Sequence, residues 1–228
     1  MENIVVIFSI LITLIVLKIV LKINLKKAEH LKENKKLEKL TDKFPENIEI
    51  AKQMLDMIGN IDVQIEEAKN TNTSLYIVVT NKISIADMKK NYGRIQTIAH
   101  ECLHSVQDKT LLLFNFIFSN ITMLYLIITT ILTICNIIQN TMLQIFILTL
   151  LALIKLVVRG YLEIDAMTKS RYLAEKYIKQ KKIITEKEEE ELLEVYEEIN
   201  KYGIPFTIYH TISNSLFGIL IYAIILWI

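Results

Sequence analysis

Two histidines and a glutamate stand at a spacing that suits metal-assisted hydrolysis. They belong to the segment His100-Glu101-Cys102-Leu103-His104, which lies just before a long apolar run. Residues four apart share one face of a helix, so both imidazoles can point at a single zinc ion. Glu101 beside them is placed to take a proton from a water molecule that the zinc polarises. Chance is a poor explanation, because two of the four histidines of the chain fall in this segment.

A third protein ligand is expected, because a catalytic zinc usually has three and keeps one position open. The apolar runs that follow the motif predict a membrane hairpin, and its return brings residues 160–170 back beside the histidines. This stretch contains Glu163, the first choice as ligand, and Asp165, the second. Acids two apart on a helix point in different directions, so only one should reach the metal, which leaves the other to orient a histidine.

Four apolar runs predict a protein that spans a membrane. The composition is 52% hydrophobic, and the apolar residues are clumped at 4–23, 111–134, 142–158 and 205–228. Crossing a bilayer takes about 20 such residues. Three of the four runs are long enough, and the run at 142–158 is marginally short. The first run has lysines after it rather than before it, which indicates a retained anchor instead of a cleaved signal peptide.

Lysine and arginine are concentrated after the first run and after the third. The positive-inside rule makes both segments cytoplasmic and puts the N-terminus, the turn at 135–141 and the C-terminus outside. We therefore expect an integral protein of the plasma membrane whose site faces the cytoplasm. Cys102 and Cys135 would then lie on opposite sides of the bilayer, and no disulfide is expected. A net charge of +1 gives no reason to expect a nucleic-acid partner.

A small mixed region precedes the second run. Pro45 should open an amphipathic helix that Gly59 closes as a left-handed cap. Alternating apolar residues predict strands at 61–65 and 74–80, joined by a polar turn at 70–73, and a helix from Ile85 to Gln107. The second strand could be an edge strand on which an extended substrate lies, or an ordinary strand of a small sheet.

Two further helices are expected after the third run. The first covers 161–182, and Thr185 with Glu188 forms a capping box for the second. Gly203 and Pro205 should end that helix before the last run.

The motifs resemble those of the YugP-like family of membrane zinc metallopeptidases. That family has an H-E-V-G-H-A-I-Q segment, a hairpin and an E-F-D-A-S-R-R-A segment, and this chain has A-H-E-C-L-H-S-V-Q and L-E-I-D-A-M-T-K-S-R. The resemblance covers roughly residues 45–228. It implies that His100 and His104 are zinc ligands, Glu101 the base, Glu163 the acidic ligand and Gln107 the trailing glutamine of the motif.

Two departures from the family pattern stand out. Leu103 replaces the glycine before the second histidine, and Met167 replaces the serine after the Asp-Ala pair. More distantly, the layout is similar to that of HtpX-type membrane proteases. Both resemblances imply a gluzincin-like peptidase with its site at the cytosolic membrane face.

The predicted fold is mainly α, a four-span α-helical membrane protein with a small cytoplasmic α+β domain. Its parts are a transmembrane anchor at 1–23, a cytoplasmic part with strands and the HExxH helix at 24–110, and a transmembrane hairpin at 111–158. Cytoplasmic helices with the third ligand follow at 159–203, and a C-terminal transmembrane helix at 204–228. Tyr209 and His210, at the start of that last helix, could stabilise an oxyanion or simply anchor it at the interface.

The predicted function is that of a zinc-dependent endopeptidase, with a peptide or a membrane protein as substrate and the bilayer as its surroundings. The alternative is a catalytically inactive metal-binding scaffold or regulator. A site-2-type protease would need its motif inside an apolar span and an Asp-Gly partner, which the sequence lacks. A transporter is disfavoured because polar residues sit mostly at the ends of the runs. Substrate identity and oligomeric state stay open.

Overall fold

Helices make up most of the chain, as its long apolar and amphipathic stretches predict. The structure is a computed structural model that describes residues 2–24, 26–27, 34–68, 71 and 73–225. The helices of three turns or more within these residues are α1 (Glu2–Val20), α3 (Asn47–Met57), α4 (Arg94–His104), α5 (Lys109–Ile134), α6 (Thr141–Lys181) and α7 (Glu186–Ile225), and the shorter α2 is Lys35–Thr41. The mainly α fold class is thereby confirmed.

Three short strands form one mixed sheet. They are β1 (Gln64–Ala68), β2 (Leu75–Ile77) and β3 (Lys82–Ala86), in the order β1-β3-β2. β3 pairs in parallel with β1, Ile65 opposite Ile83, and antiparallel with β2, Tyr76 opposite Ile83. β2 is therefore an edge strand.

The chain divides into two compact units. The apolar helical unit contains Met1–Ile23, Phe114–Tyr161 and Pro205–Ile228, and the α+β unit contains Asn24–Leu113 and Leu162–Ile204. The helices α1, α5, α6 and α7 are long and apolar enough to cross a membrane.

Each unit has its own buried core. In the apolar helical unit Ile10, Leu14, Leu148 and Ile219 pack together, while Tyr222 bonds the hydroxyl of Thr133 at 3.0 Å. The core of the α+β unit comes from α3, α4, β3 and parts of α6 and α7, and its fully buried members include Ile50, Met54, Ile83, Ile98, Ala174 and Tyr196. This core holds the HExxH helix in place.

The predicted helix from Ile85 is wrong at its beginning. Residues 82–86 form the central strand of the sheet, and α4 begins only at Arg94. The alternation of Ile83 and Ile85 is a strand pattern, and both side chains are completely buried between neighbouring elements. The predicted strands at 61–65 and 74–80 are present but shifted or shortened. Of the predicted turn at 70–73, residues 70 and 72 lie outside the described residues.

Of three helix ends predicted from the sequence, two are confirmed and one is wrong. Gly59 has φ +72°, the predicted left-handed cap of α3. Thr185 and Glu188 form the predicted capping box, with a 2.8 Å bond from the Thr185 N–H to the Glu188 carboxylate. The predicted end at Gly203 and Pro205 is wrong, because α7 continues through both. A proline removes one backbone hydrogen bond of the helix, while Tyr196 before it and Ile219 after it each lie in a buried core.

The third apolar run and the helix after it are one continuous element. The sequence predicts a span at 142–158 and a separate helix at 161–182, whereas α6 extends from Thr141 to Lys181 without a break. Its residues after Tyr161 belong to the α+β unit and carry both acidic candidates.

Candidate metal centre

The HExxH helix is fixed by an apolar face that leaves its histidines on the flank. Ile95, Ile98, Ala99 and Cys102 follow helical spacing and are completely buried. Cys102 packs against the carbonyl of Ala51 at 3.8 Å, as expected for a small residue facing away from the metal.

The two motif histidines turn the same ring nitrogen toward each other. The Nε2 atoms of His100 and His104 are 3.0 Å apart, and the rings are nearly perpendicular, at 87° with centroids 4.5 Å apart. A separation of four residues on α4 produces this convergence. Both side chains are largely buried, with 18% of His100 and 12% of His104 exposed, so the two nitrogens meet inside the α+β unit.

Glu163 on α6 completes the group. Its Oε2 lies 3.5 Å from the Nε2 of His100 and 3.8 Å from that of His104. The ligand-type atoms of these three residues all lie within 4.8 Å of one another. The acid expected first from the return of the hairpin is thus the one beside the histidines.

These distances fit a tetrahedral zinc. Zinc bonds to nitrogen or oxygen at about 2.0–2.2 Å, which places neighbouring ligand atoms about 3.2–3.6 Å apart. The observed distances are 3.0 Å between the two Nε2 atoms and 3.5 and 3.8 Å from these atoms to the Oε2 of Glu163, and they lie on both sides of this range. Two imidazoles and one carboxylate are also a common donor set of catalytic zinc. The residues present can therefore hold the ion with small side-chain adjustments.

The charges at the site favour a cation. Burial works against ionisation of Glu163, but its bonds to both histidines hold the pKa of its carboxyl well below the ordinary value. Burial alone would lower the pKa of His104, yet Glu163, Glu101 and Gln107 together raise it. The acidic ligand is thus ionised at neutral pH, as metal binding requires.

The environment of Glu101 shifts the pKa of its carboxyl in the opposite direction from that of Glu163. Only 6% of the residue is exposed, and burial raises the pKa of its carboxyl, opposed by the two histidines. A backbone interaction with Tyr76, in the edge strand β2, acts in the opposite direction and lowers the pKa of this carboxyl in part. Glu101 is therefore a buried carboxylate close to both the histidine pair and an edge strand.

Asp165 approaches the site indirectly. Its Oδ2 accepts from the side-chain Nε2 of Gln107 at 3.0 Å, and its Oδ1 contacts Lys169 at 2.6 Å. The other end of the Gln107 amide contacts the Nδ1 of His104 at 2.8 Å. The sequence identified Gln107 only through a family resemblance. Its position three residues after His104, in the turn that follows α4, is the signal that could have singled it out.

Tyr209 and His210 lie in the apolar helical unit. The His210 ring stacks on Phe206 with centroids 6.2 Å apart, and its Nε2 is 3.3 Å from the side-chain nitrogen of Asn214. A role for either residue in stabilising an oxyanion stays a prediction.

Comparison with known proteins gives one match. No curated protein and no solved structure matches the chain significantly. A family model described as "Putative neutral zinc metallopeptidase" matches residues 4–198, which is most of the chain and includes His100, Glu101, His104 and Glu163. The chain therefore belongs to this family of neutral zinc metallopeptidases, in agreement with the resemblance found in its sequence.

Proposed function

We propose that this protein is a zinc-dependent endopeptidase embedded in a membrane, with its site at the cytosolic face. The observation that carries the proposal is the convergence of His100, His104 and Glu163, whose ligand-type atoms lie within 4.8 Å of one another beside a buried Glu101. Family membership supports the zinc and the peptidase class. The four helices long enough to span a bilayer, and the lysines that follow the first of them, support the membrane and the orientation.

His100, His104 and Glu163 would hold the zinc, which when bound supplies a Lewis acid that polarises a water molecule and a substrate carbonyl. Glu101 then acts as the general base. Burial raises the pKa of its carboxyl above the ordinary value, and a carboxylate with a raised pKa accepts a proton more readily and can return it. In the proposed reaction Glu101 takes the proton of the attacking water and delivers it to the leaving amine.

The edge strand β2 offers a place for the substrate. The backbone of its Tyr76 interacts with the carboxylate of Glu101, so the strand runs beside the proposed base. An extended peptide could pair with the side of β2 that β3 does not occupy, through the main-chain groups that Glu101 does not engage. Its scissile bond would then lie near the carboxylate that handles the proton.

The test is zinc content and proteolysis of a casein-type substrate by the full chain in detergent. Wild type should carry one zinc and cleave the substrate. Glu101→Gln should retain the zinc and lose at least about 100-fold in rate, the scale of a lost general base. The exposed Glu67→Gln is the matched control and should retain both properties.

Glu163→Gln should instead lose zinc, because it removes the anionic ligand. Stoichiometric zinc without cleavage in wild type would overturn the peptidase proposal in favour of a metal-binding scaffold. Absence of zinc from wild type would overturn the metal site itself.

A further inference from the structure

Gln107 connects the two elements that carry the candidate ligands. It lies three residues beyond His104, after the end of α4. Its amide contacts the Nδ1 of His104 at 2.8 Å, the carbonyl of Leu162 at 2.8 Å and the Oδ2 of Asp165 at 3.0 Å. Leu162 and Asp165 flank Glu163 on α6. One side chain therefore bridges the helix of the two histidines and the helix turn that bears the carboxylate.

The chemistry of these partners fixes the orientation of the amide. Both neighbours of its nitrogen, a carbonyl oxygen and a carboxylate oxygen, are acceptors only, so the two N–H groups must face them. The amide oxygen then faces His104 and can only accept. Consequently the Nδ1 of His104 carries a proton, and in the neutral imidazole the lone pair of its Nε2 is directed at His100 and Glu163.

We propose that Gln107 is the positioning residue of the metal centre. It selects the tautomer in which the Nε2 of His104 can bind a metal, and it sets the distance between that histidine and Glu163. The inference rests on the proposed function, because it concerns the same zinc site. Ligating histidines commonly donate their second ring N–H to a carboxylate or carbonyl. In this protein an amide mediates between the imidazole and the carboxylate of Asp165.

All the hydrogen-bonding capacity of Gln107 that faces the site is used in this bridge. Its two N–H groups go to α6 and its oxygen goes to His104. Methionine has a similar length and volume but supplies no such donor and no strong acceptor. Gln107→Met therefore removes the bridge while largely preserving the packing.

The experiment measures zinc affinity of the full chain in detergent, by competition with a chromogenic chelator at constant pH. Gln107→Met should weaken binding about 10–100-fold, the usual effect of losing the partner of a ligating histidine. Gln96→Met is the matched control. Gln96 lies on the same helix one turn before His100, and its amide donates to Tyr196 and Asn200. Gln96 is buried and Gln107 is half-buried, so the control substitution disturbs packing at least as much. This control should leave zinc affinity within about threefold of wild type, since it removes no partner of a ligand.

Two further measurements separate positioning from general packing. Asp165→Asn should weaken zinc binding less than Gln107→Met, and the double variant should be no weaker than Gln107→Met alone, because both act through one chain of bonds. In zinc-loaded protein with ¹⁵N-labelled histidine, the Nδ1–H of His104 should be protected from solvent exchange in wild type and lose that protection in Gln107→Met.

Equal affinities of wild type and Gln107→Met would overturn the positioning role while leaving the peptidase proposal intact. Equal losses in Gln107→Met and Gln96→Met would also overturn it, since the cause would then be the packing of α4. Failure of wild type to bind zinc at all would overturn the proposed function on which the inference rests.

Discussion

Two carboxylates of the candidate site have environments that drive their proton affinities apart. The pKa of Glu163 is lowered by its bonds to two imidazoles, whereas burial raises that of Glu101. Such a pair commonly separates the fixed anion of a site from its proton acceptor. The same contrast assigns Glu163 to the metal and Glu101 to the water in the proposed reaction.

The raised pKa of Glu101 predicts a cost in stability. A carboxyl whose pKa is higher in the folded state than in the unfolded state loses stability as the pH rises through the folded value. At neutral pH the buried charge therefore destabilises the metal-free protein, and Glu101→Gln should stabilise it by on the order of 1 kcal/mol, about 2–4 °C in Tm. Melting is measured after treatment with a chelator at pH 7.5.

The difference in Tm between Glu101→Gln and wild type should disappear as the pH is lowered toward 4. At that pH the carboxyl of Glu101 is protonated and resembles the amide in charge and shape. The exposed Glu67→Gln should leave the Tm unchanged at both pH values. A lower Tm for Glu101→Gln at pH 7.5 would contradict the prediction, because it would mean that the ionised carboxylate contributes favourable interactions in the folded protein.

At the level of elements, amphipathic helices were predictable and the central strand was not. The apolar residues at helical spacing and the two histidines four apart predict α4. β3 is five residues long and acquires its identity from pairing with β1 and β2 on either side, which local periodicity does not reveal. Its last residues, Ile85 and Ala86, were consequently assigned to the beginning of the next helix.

The part of the candidate site that depends on chain topology was predictable from the sequence. The return of a hairpin sufficed to place Glu163 near the histidines, because the apolar runs specify that return. The sequence left Glu163 and Asp165 as alternatives, and distances now distinguish them, since only Glu163 lies within 4 Å of both rings. The bond from Gln107 to Asp165 joins residues 58 apart and depends on side-chain geometry that no spacing rule provides.

The beginning of α4 depends on one buried cation. Arg94 is completely buried, and its guanidinium donates to the carbonyls of Thr41, Phe44 and Pro45 and to the Asn47 side chain, at 2.7–2.9 Å. It thereby ties the turn between α2 and α3 to the HExxH helix. Its removal leaves several buried acceptors without a donor, each of them costly.

Arg94→Met should therefore lower the free energy of unfolding by about 2–4 kcal/mol, measured by chemical denaturation in detergent. The free energy of unfolding of Arg94→Lys should lie between those of wild type and Arg94→Met, because an ammonium cannot reproduce the planar fork of the guanidinium. The exposed Lys52→Met on α3 is the control and should change stability by less than about 0.5 kcal/mol. An Arg94→Met protein as stable as wild type would show that this turn needs no such anchor.

Proteolysis at the cytosolic face requires that the metal site and the turn between α5 and α6 lie on opposite sides of a membrane. The chain supplies its own probe in Cys135, which is exposed in that turn. The other cysteine, Cys102, is completely buried, and burial raises the pKa of its thiol, so it should not react. One native residue thus reports the orientation.

In right-side-out vesicles or spheroplasts, a membrane-impermeant maleimide should label the wild type, and Cys135→Ser should abolish the labelling. In the Cys135→Ser background, Glu67→Cys on the exposed face of β1 should react only after the membrane is permeabilised. The physical reason is the lysine-rich segments that follow α1 and the third apolar run, which hold their side of the protein in the cytoplasm. The reverse pattern, with position 67 labelled in sealed vesicles and Cys135 protected, would put the metal site outside the cell and contradict cytosolic proteolysis while leaving the zinc chemistry untouched.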